Sequence, residues 1–170
     1  MQKELPVRKS IRLKGYDYSK PGYYFVTMCV EGRHEILGTI AVGQGLCSCR
    51  LSDAGNIART ELHGLETRYK NMVIDKYVIM PNHMHAIIKI EQREQSPRPT
   101  TVMDMVCAYK SITTKYYNKT LGMSGKTMWQ ERFHDHIIRD REDYQRIWRY
   151  IDENPARWAE DRYFVKGANR

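Results

Sequence analysis

A chain of 170 residues is long enough to form one domain around a real hydrophobic core. Its 28 Lys and Arg against 20 Asp and Glu leave a formal net charge of +8, which favours a polyanionic partner and makes nucleic acid the first candidate. A ribosome-associated or membrane-surface protein would share that balance, but no stretch approaches the ~20 apolar residues that span a bilayer, and the start Met1-Gln-Lys-Glu-Leu-Pro6 lacks the apolar core of a signal peptide, so no membrane partner and a cytoplasmic location are expected.

In chain order, residues 1–20 read as a basic, extended arm. Its Arg8, Lys9, Arg12 and Lys14 are able to clamp a hairpin or enter a groove, or simply to solvate a tail. Residues 23–30, rich in aromatic and β-branched types, predict a strand, and the Gly-punctuated stretch 32–51 suggests one or two short ones. A helix over 52–65 follows, with Ser52 as N-cap and apolar residues at Ile57, Ala58, Leu62 and Leu65. Residues 72–80 and 83–90 predict two strands joined at the turn pair Pro81-Asn82. The polar segment 91–99 is a connector, 101–117 a second helix and 122–126 a flexible loop. Residues 143–154 form a third helix, which Pro155 should end at Asn154. Strand, helix, strand pair and helix in this order fit an α+β fold of the ferredoxin-like, split βαβ plan, an antiparallel sheet backed by helices on one face. Cys29, Cys47, Cys49 and Cys107 show no C-x-x-C spacing, so buried thiols are the first reading and a zinc site a poor second.

Two segments carry chemistry. In a strand over 83–90, His83 and His85 project from one face while Met84 points into the core. Imidazole suits transition metals, and a His pair completed by an oxygen ligand leaves positions open for a phosphate. On the third helix, Tyr150 and Asn154 stand four apart on the flank of an apolar stripe made by Tyr144, Ile147, Trp148 and Ile151, placed to face a cleft. Taken singly, each has an ordinary alternative: solvated strand histidines and a half-buried packing tyrosine. A second H-x-H, His134-Asp135-His136, ranks lower because its charged middle residue would be forced toward the core. Lys110, Ser111, Thr114 and Lys115 on the second helix can track a nucleic-acid backbone or form a solvated face. Trp129 and Phe133 can stack on an unpaired base, with burial as the commoner fate.

Together, Gly15-Tyr-Asp-Tyr-Ser19 with Tyr24-Phe-Val-Thr27, Met80-Pro-Asn-His-Met-His85, Trp129-Gln-Glu-Arg-Phe133, His136-Ile-Ile-Arg139 and Tyr150-Ile-Asp-Glu-Asn-Pro155 resemble the single-tyrosine HUH transposases, most closely their REP-associated branch. The resemblance runs over nearly the whole chain and implies a single HUH domain over residues 1–170, with the His pair on a central strand of a ferredoxin-like sheet. It implies His83 and His85 as metal ligands, Tyr150 as nucleophile, and Asn154 as a further ligand or orienting amide, where insertion-sequence relatives typically carry Gln. His136 and Arg139 match the family string, so either can support the site or contact phosphate, with a structural hydrogen bond equally open for His136. The activity so implied is cleavage and rejoining of single-stranded, hairpin-containing DNA through a 5′-phosphotyrosine, with Mg2+ or Mn2+ as cofactor, by a monomer or homodimer. A catalytically silent nucleic-acid-binding protein of the same fold is the alternative, and a metal-dependent hydrolase using water a weaker third. If Gly122-Met-Ser-Gly-Lys126 is a mobile connector, the third helix could swap between copies; the REP-associated branch instead suggests that Tyr150 acts with the histidines of its own chain.

Overall fold

The structure, a computed structural model, describes residues 13, 15–43, 46–92 and 100–165. Arg8, Lys9, Arg12 and Lys14 therefore lie outside the described residues. The elements run β1 (Gly22–Cys29), β2 (Gly38–Gly43), β3 (Leu46–Leu51), α1 (Asp53–Arg68), β4 (Met72–Ile79), β5 (His83–Ile90), α2 (Val102–Thr120), β6 (His134–Ile138) and α3 (Arg141–Glu153). Four strands form one sheet in the order β4-β5-β1-β6, every neighbouring pair antiparallel. Helix α1 carries the chain from β1 to β4 and α2 from β5 to β6, each crossing past the strand that lies between, which is the split βαβ plan. The Gly-punctuated insertion folds as a separate β2-β3 hairpin.

Side-chain alternation divides the core. Tyr24, Val26 and Met28 of β1 and Met84, Ala86 and Ile88 of β5 point to one face, where α1 and α2 cover them with Leu62, Leu65, Met105 and Tyr109. Phe25 and Ile87 point to the other and meet Ile147 and Ile151 of α3. The sequence reading placed the helices on one face; α3 instead covers the opposite one, the face that carries the His pair. Its buried stripe is narrower than expected, because Trp148 leaves it and sits exposed with the Lys76 ammonium 3.7 Å from its ring centroid.

Other elements depart from expectation for local reasons. Residues 15–20 are no extended arm: Tyr18 is buried, Tyr16 packs edge-on to it at 5.1 Å, and the Tyr24 hydroxyl donates to the Lys20 carbonyl at 2.7 Å. Strand β6 is absent from the sequence reading because His134-Asp-His has no strand-like pattern; pairing with β1 imposes it. Asp135 does turn toward the α1/α2 core, opposite Val26. Helix α3 starts earlier than expected, capped by Asp140, whose side chain accepts from the Asp143 N–H at 2.8 Å. It ends at Glu153, yet Asn154 keeps helical angles (φ −55°, ψ −43°) in front of Pro155. The Gly122–Gly125 loop is separated from α3 by β6, with only Arg139 and Asp140 joining β6 to α3, so a swap about that loop would have to carry β6 with the helix. Among the described residues no helix is long and apolar enough to cross a membrane.

One contact ties the hairpin insertion to α1. A Cβ on Gly55 would lie 2.0 Å from the Leu37 carbonyl oxygen, whose partner N–H belongs to Ser52 at 3.0 Å. Gly55→Ala gains up to about 1 kcal/mol of helix propensity, but overpacking against backbone costs about 1–3 kcal/mol. The clash is expected to win, lowering the urea midpoint; a midpoint that rises would contradict this packing.

Candidate active site

The register of β1 on β5 sets Thr27 opposite His85 and Cys29 opposite His83. Both imidazoles project toward the α3 side and Met84 into the other core, as the alternation predicts. They are fully enclosed, each 0% exposed, because the chain after α3 folds back over them. A 3-10 turn over Trp158–Glu160 leads into Asp161, Arg162 and Tyr163, and the His83 ring lies 5.8 Å from Trp158 and 4.5 Å from Tyr163 between centroids. The two Nε2 atoms converge to 3.0 Å. Each other ring nitrogen is tied: His83 Nδ1 to Asn82 Oδ1 at 2.9 Å and His85 Nδ1 to Thr27 Oγ1 at 2.8 Å. Burial pulls His83 down to about 4, with Asp161 opposing it, and holds His85 well below the ordinary imidazole value, helped by His83 and Arg162. At neutral pH both rings are uncharged.

Helix α3 brings Tyr150 to this pair. Its hydroxyl stands 3.2 Å from His85 Nε2 and donates to Asp161 Oδ2 at 3.3 Å, while 38% of the residue stays open to solvent. Burial, then Asp161, push the phenol up to about 12, with Arg162 working against the rise. That direction disfavours phenolate unless positive charge is added. Asn154 donates Nδ2 to Asp161 Oδ2 at 2.9 Å, and its buried Oδ1 has no hydrogen-bond partner among the described residues. His83, His85 and Asp161 offer ligand atoms that all lie within 4.8 Å of one another. Two neutral imidazoles, a carboxylate and an orphaned amide oxygen are a donor set that fits a divalent cation. Asp161 escapes sequence reasoning because nothing distinguishes it from Glu160; only the chain reversal after Pro155 selects it.

A cleft of about 480 Å³ opens beside Tyr150, walled by Arg146, Arg149, Arg157 and Arg162. Sequence reasoning missed these arginines, although Arg146, Arg149 and Glu153 recur at three and four residues on one face of α3, a spacing that signals a shared surface; Arg157 and Arg162 join them only through the chain reversal after Pro155. The residues it did single out are more scattered. Lys110 donates to the Gln130 and Glu131 carbonyls at 2.5 and 2.7 Å and so ties α2 to the following loop. Ser111 and Lys115 are exposed and Thr114 half-buried on α2, the helix covering the sheet face opposite Tyr150. Arg139 is exposed between β6 and α3. His136 Nε2 meets Asp143 Oδ2 at 2.7 Å, and Asp143 also pairs with Arg146, so His136 fastens the start of α3; His134 is exposed. Trp129 and Phe133 are buried, the indole N–H donating to Thr113 Oγ1 at 2.7 Å. Of the thiols, Cys29 is buried, Cys49 half-buried and Cys107 exposed, the last against expectation.

Residues 57–154, more than half of the chain, match the family described as IS200-like transposases. An uncharacterised protein of Haemophilus influenzae is 32% identical over 174 residues, covering 93% of this chain and 93% of that protein. The REP-associated tyrosine transposase of Escherichia coli is 30% identical over 84 residues, 49% of this chain and 44% of that protein. A solved REP-associated tyrosine transposase bound to a REP hairpin aligns with a TM-score of 0.59 at 22% identity, over 86% of this chain and 74% of that one, a likeness of fold.

The enclosed imidazoles also set a pH dependence. An unfolded chain protonates histidine near 6.5, whereas folded His83 resists down to about 4, so the unfolded state binds more protons in that window. The contribution is fully present above 6.5, and the metal-free protein is expected to lose melting temperature as pH falls from there towards 4. Replacing both rings, as His83→Gln with His85→Gln, should flatten that slope; an equally steep slope in the double variant would contradict it.

Proposed function

The chain belongs to the IS200-like transposase family, and from that premise we propose that residues 1–170 form a single HUH domain that cleaves and rejoins single-stranded DNA at a hairpin through a 5′-phosphotyrosine. The observation that carries this reading is the Tyr150 hydroxyl 3.2 Å from the Nε2 of His85, within one chain and beside a cation-competent donor set. Its cofactor is Mg2+ or Mn2+. His83, His85 and Asp161 would hold it, with Asn154 Oδ1 as a further donor, and when bound it neutralises and polarises a scissile phosphate.

The remaining steps belong to the chain's own groups. The Tyr150 oxygen attacks phosphorus, the bond from phosphorus to the 3′ oxygen breaks, and the proton lost by the phenol is matched by one gained at the 3′ oxygen. The product is a tyrosyl 5′-phosphodiester and a free 3′ hydroxyl, so a later 3′ hydroxyl reverses the reaction without nucleotide hydrolysis. Asp161 Oδ2 orients the phenol through the bond it already accepts at 3.3 Å. The arginines of the cleft favour phenolate and hold backbone phosphates on either side of the break. Arg8, Lys9, Arg12, Lys14 and Arg139 supply further contacts to the DNA backbone, Lys115 reaches only nucleic acid that extends to the opposite sheet face, and His136 supports α3. The protein acts in the cytoplasm, as a monomer or as a homodimer whose sites are each complete within one chain. A silent DNA-binding protein has no use for a convergent His pair beside a phenol, which favours the cleaving reading.

Incubated with a tailed hairpin and Mn2+, the wild-type protein is expected to form a covalent adduct. Tyr150→Phe should abolish it and leave hairpin affinity unchanged, since the hydroxyl acts in bond exchange; full adduct from that variant would place the nucleophile elsewhere. His83→Ala should lower cleavage by more than the ~10–100-fold typical of losing an outer-shell partner. Mixing Tyr150→Phe with His83→Ala should restore nothing, and recovered cleavage would mean that sites are shared between chains. Raising salt should weaken binding steeply, by the counterion release that arginine–phosphate contacts entail; a flat response would make the charge incidental.

A further inference from the structure

Asn82, fully buried in the turn between β4 and β5, sits directly behind the His pair. Its Nδ2 faces two backbone carbonyls, that of Arg33 at 3.2 Å and that of Tyr163 at 2.8 Å, while its Oδ1 faces His83 Nδ1 at 2.9 Å. Carbonyls only accept and the amide nitrogen only donates, so the two carbonyls fix which way the amide points. Its oxygen is then an acceptor with no alternative role, and His83 must carry its proton on Nδ1. The structure assigns to Asn82 the part of a positioning residue that locks His83 as the Nδ1–H tautomer and turns a bare Nε2 lone pair into the site. This rests on the reading that His83 and His85 hold a cation.

The lock on His83 dictates what His85 does. With His83 Nε2 bare and 3.0 Å away, a second bare nitrogen would face it lone pair to lone pair, so in the metal-free protein the His85 proton sits on Nε2 and is donated to His83. His85 Nδ1 is then the acceptor, and the Thr27 hydroxyl at 2.8 Å donates to it. The Tyr150 hydroxyl donates to Asp161, so every polar hydrogen of the cluster has an acceptor. If a cation were held by both Nε2 atoms, the His85 proton would have to sit on Nδ1 instead, with no net proton released. Of the two groups that hold the rings, only a hydroxyl can both donate and accept, so Thr27 would be the one able to turn round and accept from Nδ1. His83 is locked by an amide and His85 is switchable through a hydroxyl, and these assignments follow from the chemistry of the partners rather than from the rings.

The test is heteronuclear NMR correlation of the imidazole nitrogens in the full, metal-free protein at neutral pH. The expected spectrum shows His83 protonated on Nδ1 and His85 on Nε2; His83 protonated on Nε2, or averaging between both nitrogens, would overturn the assignment without any variant having to fold. Asn82→Ala should let His83 populate both tautomers and weaken Mn2+ binding about 10–100-fold, as loss of an outer-shell partner does. Thr27→Val should weaken Mn2+ binding similarly while leaving the His83 tautomer intact, and Thr27→Ser should restore it. Unchanged Mn2+ affinity in both Asn82→Ala and Thr27→Val would also count against the proposal. Water-proton relaxation on wild-type protein titrated with Mn2+ reads the metal independently: intact binding with the wrong His83 tautomer refutes the role of Asn82 and spares the metal reading, whereas no binding refutes both the metal reading and the ligand-presenting role.

Discussion

The site depends on one register, the antiparallel pairing of β1 with β5 that sets Thr27 against His85. Because side chains alternate with period two, a slip of one residue would turn both imidazoles into the α1/α2 core and Met84 toward Tyr150. Burial does little to prevent that slip, since both faces of these strands are apolar: Val26, Met28 and Ala86 on one side, Phe25 and Ile87 on the other. The turn does the pinning. Met80 N–H donates to the His83 carbonyl, Val30 N–H to the Asn82 carbonyl, and Leu37 N–H to the Pro81 carbonyl, at 2.8, 2.8 and 2.9 Å. Proline and asparagine thus fix the strand end at the two residues that precede the first histidine, and the same asparagine then orients its ring.

Electrostatics divides the site into a part that is ready and a part that waits. Enclosure keeps the imidazoles neutral and their Nε2 atoms facing, an arrangement in which a cation could take the place of the one hydrogen they share. The same enclosure, with Asp161 alongside, raises the phenol, so Tyr150 is a poor nucleophile in the absence of added positive charge. Arg162 is the near group that opposes the rise, and the arginine-walled cleft lies on the open side of the ring. Charge on that side lowers the cost of ionising the phenol where a phosphate would lie.

The chemistry of the site was legible in the sequence to the extent that it is written in local spacing. His83 and His85 share a face because strand alternation allows no other arrangement, and Tyr150 with Asn154 lie on one flank because helix periodicity puts them there. The ferredoxin-like order followed from the same periodicities. What stayed hidden is set by chain reversal and by pairing with distant partners. Asp161 reaches the histidines only because residues 155–163 turn back across them, and β6 is a strand only because β1 offers it an edge. The face taken by α3 depends on Phe25 and Ile87, two apolar residues among many. Trp148, apolar by type and helical by spacing, is drawn out of the stripe by Lys76.

The central claim is that His83, His85 and Asp161 converge on one divalent cation beside the Tyr150 phenol. Anomalous diffraction from crystals grown with Mn2+ tests it most directly. The account predicts a single strong peak ligated by Nε2 of both histidines and by the Asp161 carboxylate, next to the Tyr150 oxygen. A peak elsewhere on the protein, with the two Nε2 atoms still facing each other across an unbridged gap, would contradict it.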